Sequence, residues 1–160
     1  MAKANAVAVR YADGVVIGSD QVADLDGTSL GKPGTHENAV RQLQAMRGKR
    51  VLFHTAVAVV RPSTGFVGAD IATVSVTFRN LSDNEIESYL RAETPYDCAG
   101  SAKSEALGIA LVESIESDDP SALVGLPLIR TCRLLRAAGL DPLVGAAHLA
   151  NNAVRDEEAL

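Results

Sequence analysis

The chain has 160 residues, 47% hydrophobic and 22% charged, with a net charge of −5, which suits one domain with its own core. A 4% aromatic content and no Trp argue against a stacking platform for single-stranded nucleic acid. The acidic balance argues against a surface made for polyanions, though it leaves room for a local basic pocket. No apolar run reaches membrane-span length, and the N-terminus lacks a signal-peptide h-region. Cys98 and Cys132 lie in no metal spacing and fit two buried free thiols in a reducing cytosol better than a bridge. Composition therefore predicts a cytoplasmic protein with neither a nucleic-acid nor a membrane partner.

In chain order, residues 2–11 carry Ala4, Val7 and Ala8 at helical spacing, and Ala12-Asp-Gly14 stops the run. Val15, Val16 and Ile17 begin a buried strand over 15–23 that delivers Asp20 and Gln21 near its end. Asp26-Gly27 is a hairpin signal. A helix over 35–47 is marked by a Thr35 cap, Glu37 in its first turn, the stripe Val40, Leu43 and Met46, and Gly48 beyond it. The run 51–60 is β-rich, Pro62-Ser-Thr-Gly65 turns the chain, and 73–78 alternates as a half-buried antiparallel strand does.

Ser82-Asp-Asn-Glu85 is a capping box opening a helix with Ile86, Tyr89 and Leu90 on one side, ended by Thr94-Pro95. A loop and a second apolar run, 107–112, follow. Pro127 starts a last helix with Leu128, Ile129, Cys132, Leu134 and Leu135 inward and Gly139 at its end. Residues 144–160 read as a solvated tail after a domain spanning 1–143. Strands interspersed with helices predict an α/β fold with a mixed sheet flanked by helices.

The strand ending in Asp20, followed by Lys32 between Gly31 and Pro33, brings an acid and an ammonium to one neighbourhood. Such a pair suits an anionic substrate, the acid activating water and the lysine holding phosphate. A hairpin with a solvated Asp and Lys is the plain alternative. His36, His54 and His148 lie far apart and read as structural or surface residues. No Gly-rich phosphate loop of the common kinds is present, and neither Ser101 nor Ser104 sits in a nucleophile motif.

What remains is Gly18-Ser-Asp-Gln21, Gly31-Lys-Pro33, Cys98-Ala-Gly-Ser-Ala-Lys-Ser-Glu105 and Val124-Gly-Leu-Pro-Leu128. In this order and spacing they resemble the Maf family of nucleoside triphosphate pyrophosphatases. Gln21 and Glu105 resemble its 7-methyl-GTP branch, whereas the branch acting on dTTP and UTP carries Thr and Gln there.

The resemblance implies a twisted sheet in two lobes with a cleft. It implies cleavage of a nucleoside triphosphate between its α and β phosphates, a house-cleaning reaction on a modified nucleotide. Asp20 is then the general base or holds the divalent ion, Mg²⁺ or Mn²⁺, that orients the water. Lys32 and Lys3 face phosphate, with a solvated helix lysine as the alternative for Lys3. Lys103 either reaches phosphate or pairs with Glu105. Gln21 and Glu105 read the base: guanine offers adjacent N1–H and N2–H donors to a carboxylate, and N7-methylation adds a positive charge. A homodimer is implied by resemblance only.

The chain departs from the family pattern twice. Ala106 stands where this branch usually has Gly, and the Ser-x-x-Arg-Arg turn that normally opens the family is not in the sequence. Arg10 and Arg41 do not stand in its place. That departure predicts an N-terminally truncated chain of strongly reduced turnover, and it leaves a second reading beside the enzyme: an impaired remnant that only binds nucleotide or a partner subunit.

Overall fold

The computed structural model describes residues 2–144. The elements run α1 (Ala2–Ala8), β1 (Val16–Leu25), β2 (Thr28–Leu30), α2 (His36–Met46), β3 (Arg50–Arg61), β4 (Phe66–Phe78), α3 (Asp83–Glu93), β5 (Val112–Glu116) and α4 (Leu128–Ala137). The strands form one sheet in the order β2-β1-β3-β4-β5, and its two outer pairings are antiparallel. The α/β class expected from the sequence is what the chain adopts. It divides into two compact units: Ser19–Ala56 with Ile71–Leu128, and residues 2–18 with Val57–Asp70 and the described residues from Ile129.

The first of these units holds the larger core. Leu43 and Met46 of α2, Ile86 and Leu90 of α3, Val51 and Phe53 of β3, and Val74, Val76 and Phe78 of β4 are buried together. Burial of this kind, roughly 1.5–3 kcal/mol for each large apolar side chain, is what holds the helices against the sheet. Local signals set the ends of the elements. Thr35 Oγ1 accepts from Asn38 N at 3.3 Å. Ser82 and Glu85 cap each other, and Thr94 takes a left-handed φ of 44° to end α3. Asp26 and Gly27 both have positive φ, 53° and 83°, which a two-residue hairpin of this twist requires. In the second unit Ala4, Ala8, Val16, Ala58 and Val60 make a small core.

Four expectations change. Strand β4 begins at Phe66 rather than 73: its first half alternates between half-buried and exposed positions, but the exposed ones include the apolar Val67 and Ile71, so polarity does not mark it. The apolar run 107–112 is a 3₁₀ turn, Leu107–Leu111, leading into β5. On α4 the buried residue is Thr131, while Leu128 and Ile129 are exposed and Cys132, Leu134 and Leu135 are half-buried. Cys98 and Cys132 are free thiols as expected, though half-buried rather than buried. Residues 145–160, which hold His148 and nearly all of the expected tail, lie outside the described residues. Among the described residues no helix is long and apolar enough to cross a membrane.

Candidate active site

Gly18 opens the first motif where β1 passes α1: a Cβ there would lie 3.0 Å from Ala4 N. Next to it, Ser19 Oγ sits 2.8 Å from the Ala56 carbonyl and 2.7 Å from that of Gly125. Gln21 is fixed more fully. Its Nε2 donates to Thr55 Oγ1 (2.9 Å), Ala122 O (2.9 Å) and Leu123 O (3.1 Å), while Thr55 Oγ1 donates to the same Ala122 carbonyl at 2.9 Å. Two carbonyl oxygens and a hydroxyl oxygen surround that nitrogen, so the amide can stand only one way. Its Oε1 is therefore the group left for a ligand, and Gln21 offers an acceptor rather than a donor. The Val124-Gly-Leu-Pro-Leu128 motif adjoins this backing, with Gly125 at φ 116° making the turn behind Ser19.

The loop carrying Lys32 is held from three directions. Gln42 Nε2 donates to Gly31 O at 3.0 Å, Asn38 Nδ2 donates to Pro33 O at 2.8 Å, and Gly34 N donates to Tyr96 O at 3.0 Å. Tyr96 is itself fixed through its hydroxyl, 2.9 Å from His36 Nδ1, and the other His36 nitrogen lies 2.9 Å from Glu87 Oε2. His36 is thus structural, as expected. Hydrogen bonds on both flanks of an exposed lysine aim its charge without spending it.

The third motif is tied to this loop. Ser101, fully buried with φ 56°, donates its hydroxyl to Gln42 Oε1 at 2.6 Å. Gln42 therefore joins the Gly31 carbonyl to the segment that bears Glu105. Further along, Lys103 N donates to Tyr89 Oη at 3.0 Å. Burial pushes the Tyr89 phenol up to about 12, so it stays neutral as an acceptor. Gly108 permits the turn after Glu105, since a Cβ there would lie 2.4 Å from Lys103 O.

Asp20, Gln21, Lys32 and Glu105 all line one cavity of about 200 Å³, together with Asp97, Cys98, Leu123 and Val124. Four of the six expected site residues are thus brought together from three separate motifs. Lys103 does not line the cavity. Its ammonium is 3.9 Å from Asp97 Oδ1, so its ion-pair partner is Asp97 and not Glu105. Lys3 stands on α1, and its side chain lies outside what the structure describes. Asp97, which the sequence did not single out, is held below the usual carboxylate range by a hydrogen bond from the Cys98 thiol first, then by its own amide, Lys103 and Lys32. Burial, then Asp97, pushes the Cys98 thiol up, so it is no thiolate nucleophile. Asn38, Gln42, Thr55 and Tyr89 carry no motif of their own: Gln42, Thr55 and Tyr89 act through contacts 59, 67 and 14 positions away, and Asn38 through the carbonyl of Pro33.

The cavity thus sets a carboxylate and an ammonium beside two oxygen acceptors, Gln21 Oε1 and the Glu105 carboxylate. Among the described residues no group of three or more His, Cys, Asp or Glu is placed to hold a metal by protein ligands alone.

A family model described as Maf-like protein matches residues 1–138. The chain is 68% identical over 143 residues to the 7-methyl-GTP pyrophosphatase of Albidiferax ferrireducens, covering 89% of this chain and 72% of that protein. It is 69% identical over 140 residues to the protein of that name from Polaromonas sp., covering 88% of this chain and 64% of that one. It is 55% identical over 140 residues to the one from Methylobacillus flagellatus, covering 88% and 73%. With a family match across most of its length and the four motifs gathered as described, the chain belongs to the Maf family.

Proposed function

We propose that the protein is a nucleoside triphosphate pyrophosphatase that hydrolyses 7-methyl-GTP to 7-methyl-GMP and pyrophosphate, within one catalytic domain over residues 1–143. The relatives' names point to this substrate. The observation that carries the reading is the meeting of Asp20, Lys32, Gln21 and Glu105 around one cavity.

In this reading Asp20 takes a proton from water as the water oxygen attacks the α phosphorus. The bond from that phosphorus to the bridging oxygen breaks, and pyrophosphate leaves with the electron pair. A positioned base of this kind is worth roughly 10²–10⁴-fold. Lys32 draws the β and γ phosphates into place and offsets their charge, and its doubly anchored loop limits the geometries it can adopt. Lys103, paired with Asp97, stands one step back from the cavity; Lys3 joins the phosphate side by resemblance alone. Glu105 accepts the two donors of guanine's edge, a pairing favoured further by the positive charge of the methylated ring. Gln21 adds a neutral acceptor toward base or sugar.

A divalent ion, Mg²⁺ or Mn²⁺, fits this donor set. Asp20 and Asp97 present hard oxygens on one lining. Mg²⁺ is usually held by one or two carboxylates plus substrate phosphates, so it needs no closed protein cage. Asp20 is the first residue expected to hold it, and the ion supplies charge neutralisation on the departing pyrophosphate. A cytoplasmic location and a homodimer belong to the same reading and rest on family membership.

The test is hydrolysis in ¹⁸O-labelled water with mass analysis of the products. Label in 7-methyl-GMP with intact, unlabelled pyrophosphate is expected. Label in pyrophosphate, or release of inorganic phosphate as the first product, would overturn the reaction assigned here.

A further inference from the structure

Glu105, Leu123 and Val124 line two cavities, the one holding Asp20 and Lys32 and a second of about 310 Å³. The second is walled by Ile109 and Ile115 and bears two hydroxyls, Ser104 and Ser117. Ile109, Ile115 and Val124 are 52%, 40% and 60% exposed. Three large apolar side chains left open around one hollow are a gathered surface patch, of the kind that marks a ligand groove. The hollow shares Glu105, Leu123 and Val124 as a wall with the cavity that carries the catalytic acid, and that shared wall points to its occupant.

We propose that this second cavity takes the nucleobase, and that it is built for the edge of a guanine-type purine, with the Ser117 hydroxyl donating to O6. The proposal rests on the substrate reading given above. Ser117 Oγ already accepts from Asp119 N at 3.0 Å, so its own proton remains to be given to a carbonyl oxygen. Ser104 Oγ makes no hydrogen bond among the described residues and offers a second donor on the same lining.

The guanine edge reads N2–H donor, N1–H donor, O6 acceptor. Glu105 accepts the first two, and a serine hydroxyl satisfies the third. Adenine sets an acceptor, N1, against the carboxylate, and uracil flanks its single donor with two carbonyl oxygens. Both leave a charged acceptor facing an acceptor, a mismatch that costs far more than a missing contact. The lining holds no aromatic residue, so discrimination comes from this edge and from the apolar wall rather than from stacking.

Calorimetry with 7-methyl-GMP and, separately, with pyrophosphate tests the assignment on the wild type, Ile115→Arg and Ser117→Ala. Ile115 is a partly exposed residue of an edge strand, so its replacement spares the core. Ile115→Arg sets a cation against the methylated ring and is expected to weaken 7-methyl-GMP binding about tenfold or more, as loss of one good polar pairing does. Pyrophosphate binding stays within about twofold, since that ligand needs only the phosphate side. Ser117→Ala weakens 7-methyl-GMP about fivefold but leaves unchanged the binding of its analogue lacking O6. Both variants binding 7-methyl-GMP as the wild type does, with the wild type still preferring it to UMP, would overturn the second cavity alone. A wild type without that preference would instead overturn the substrate reading on which it rests.

Discussion

Two cavities of the molecule, one by Asp20 and Lys32 and one beside α3, have volumes of about 200 and 330 Å³, and the charges of Lys32 and Glu105 in the first are used unlike those of Arg79 and Glu85 in the second. In the larger, Arg79 donates to Ala110 O at 2.7 Å and to Glu85 Oε1 at 2.8 Å. The other Glu85 oxygen accepts from Ser82 N at 2.7 Å and from Ser82 Oγ at 2.9 Å. Both charges serve to close the start of α3. Among the described residues of the smaller cavity, Lys32 and Glu105 have no ion pair or hydrogen bond, while the backbone around them is fixed by Ser101, Gln42, Asn38 and Tyr89. Size does not mark the site. Uncommitted charge on an immobilised backbone does, because such charge is available to a substrate without reorganisation.

The largest effect that can break this comparison comes from exchanging one charge in each cavity. Asp20→Asn is expected to lower kcat about 10²–10⁴-fold, the worth of a positioned base. Arg79→Ala is expected to lower Tm and leave kcat unchanged. Steady-state kinetics with thermal melts on both variants decide it, and an Arg79 variant that loses turnover while keeping its Tm would erase the distinction.

A smaller, sharper effect concerns the scaffold. Gln42→Glu keeps an acceptor for Ser101 but loses the only donor it offers Gly31. Loosening the Lys32 loop should raise KM about three- to tenfold with kcat nearly unchanged, because phosphate is held less well while the base stays in place. A fall in kcat at constant KM would instead place Gln42's influence at the chemistry.

The smallest effect is on stability alone. Glu85 has its carboxyl lowered from 4.5 to about 2, chiefly by the Ser82 amide, then by the Ser82 hydroxyl and Arg79. A depressed carboxylate contributes stability that is full above its unfolded pKa and is lost as pH falls through the folded one. The Tm advantage of wild type over Glu85→Gln should therefore hold above pH 4.5 and shrink toward nothing as pH approaches 2. An advantage that persists unchanged at low pH would show that the ionised cap is not its source.

Much of this was legible in the residues. Asp20, Lys32 and Glu105 stood in motifs, and the caps of α2 and α3 follow from Thr35, Ser82 and Glu85, whose chemistry acts within one helical turn. What escaped depends on contacts between distant segments. Nothing near Gln42 shows that its amide joins Gly31 to Ser101, a residue 59 positions away. The apolar run at 107–112 suggests regular structure, yet it forms a 3₁₀ turn in which Gly108 lies too close to the Lys103 backbone to leave room for a Cβ. On α4 an apolar stripe suggested burial of Leu128 and Ile129, but about half of each is open to solvent, since periodicity specifies a face and not what covers it. For Lys103, sequence proximity to Glu105 suggested a pairing that the fold gives to Asp97 instead.

If the Glu105 carboxylate selects a guanine-type, positively charged base, its exchange for an amide should abolish that selection. Relative kcat/KM for 7-methyl-GTP and UTP is compared between the wild type and Glu105→Gln, an exposed position whose exchange keeps the fold. A wild-type preference for 7-methyl-GTP that falls about tenfold or more in the variant is expected, the scale for losing a charge-assisted pair. A preference left intact by Glu105→Gln would contradict it.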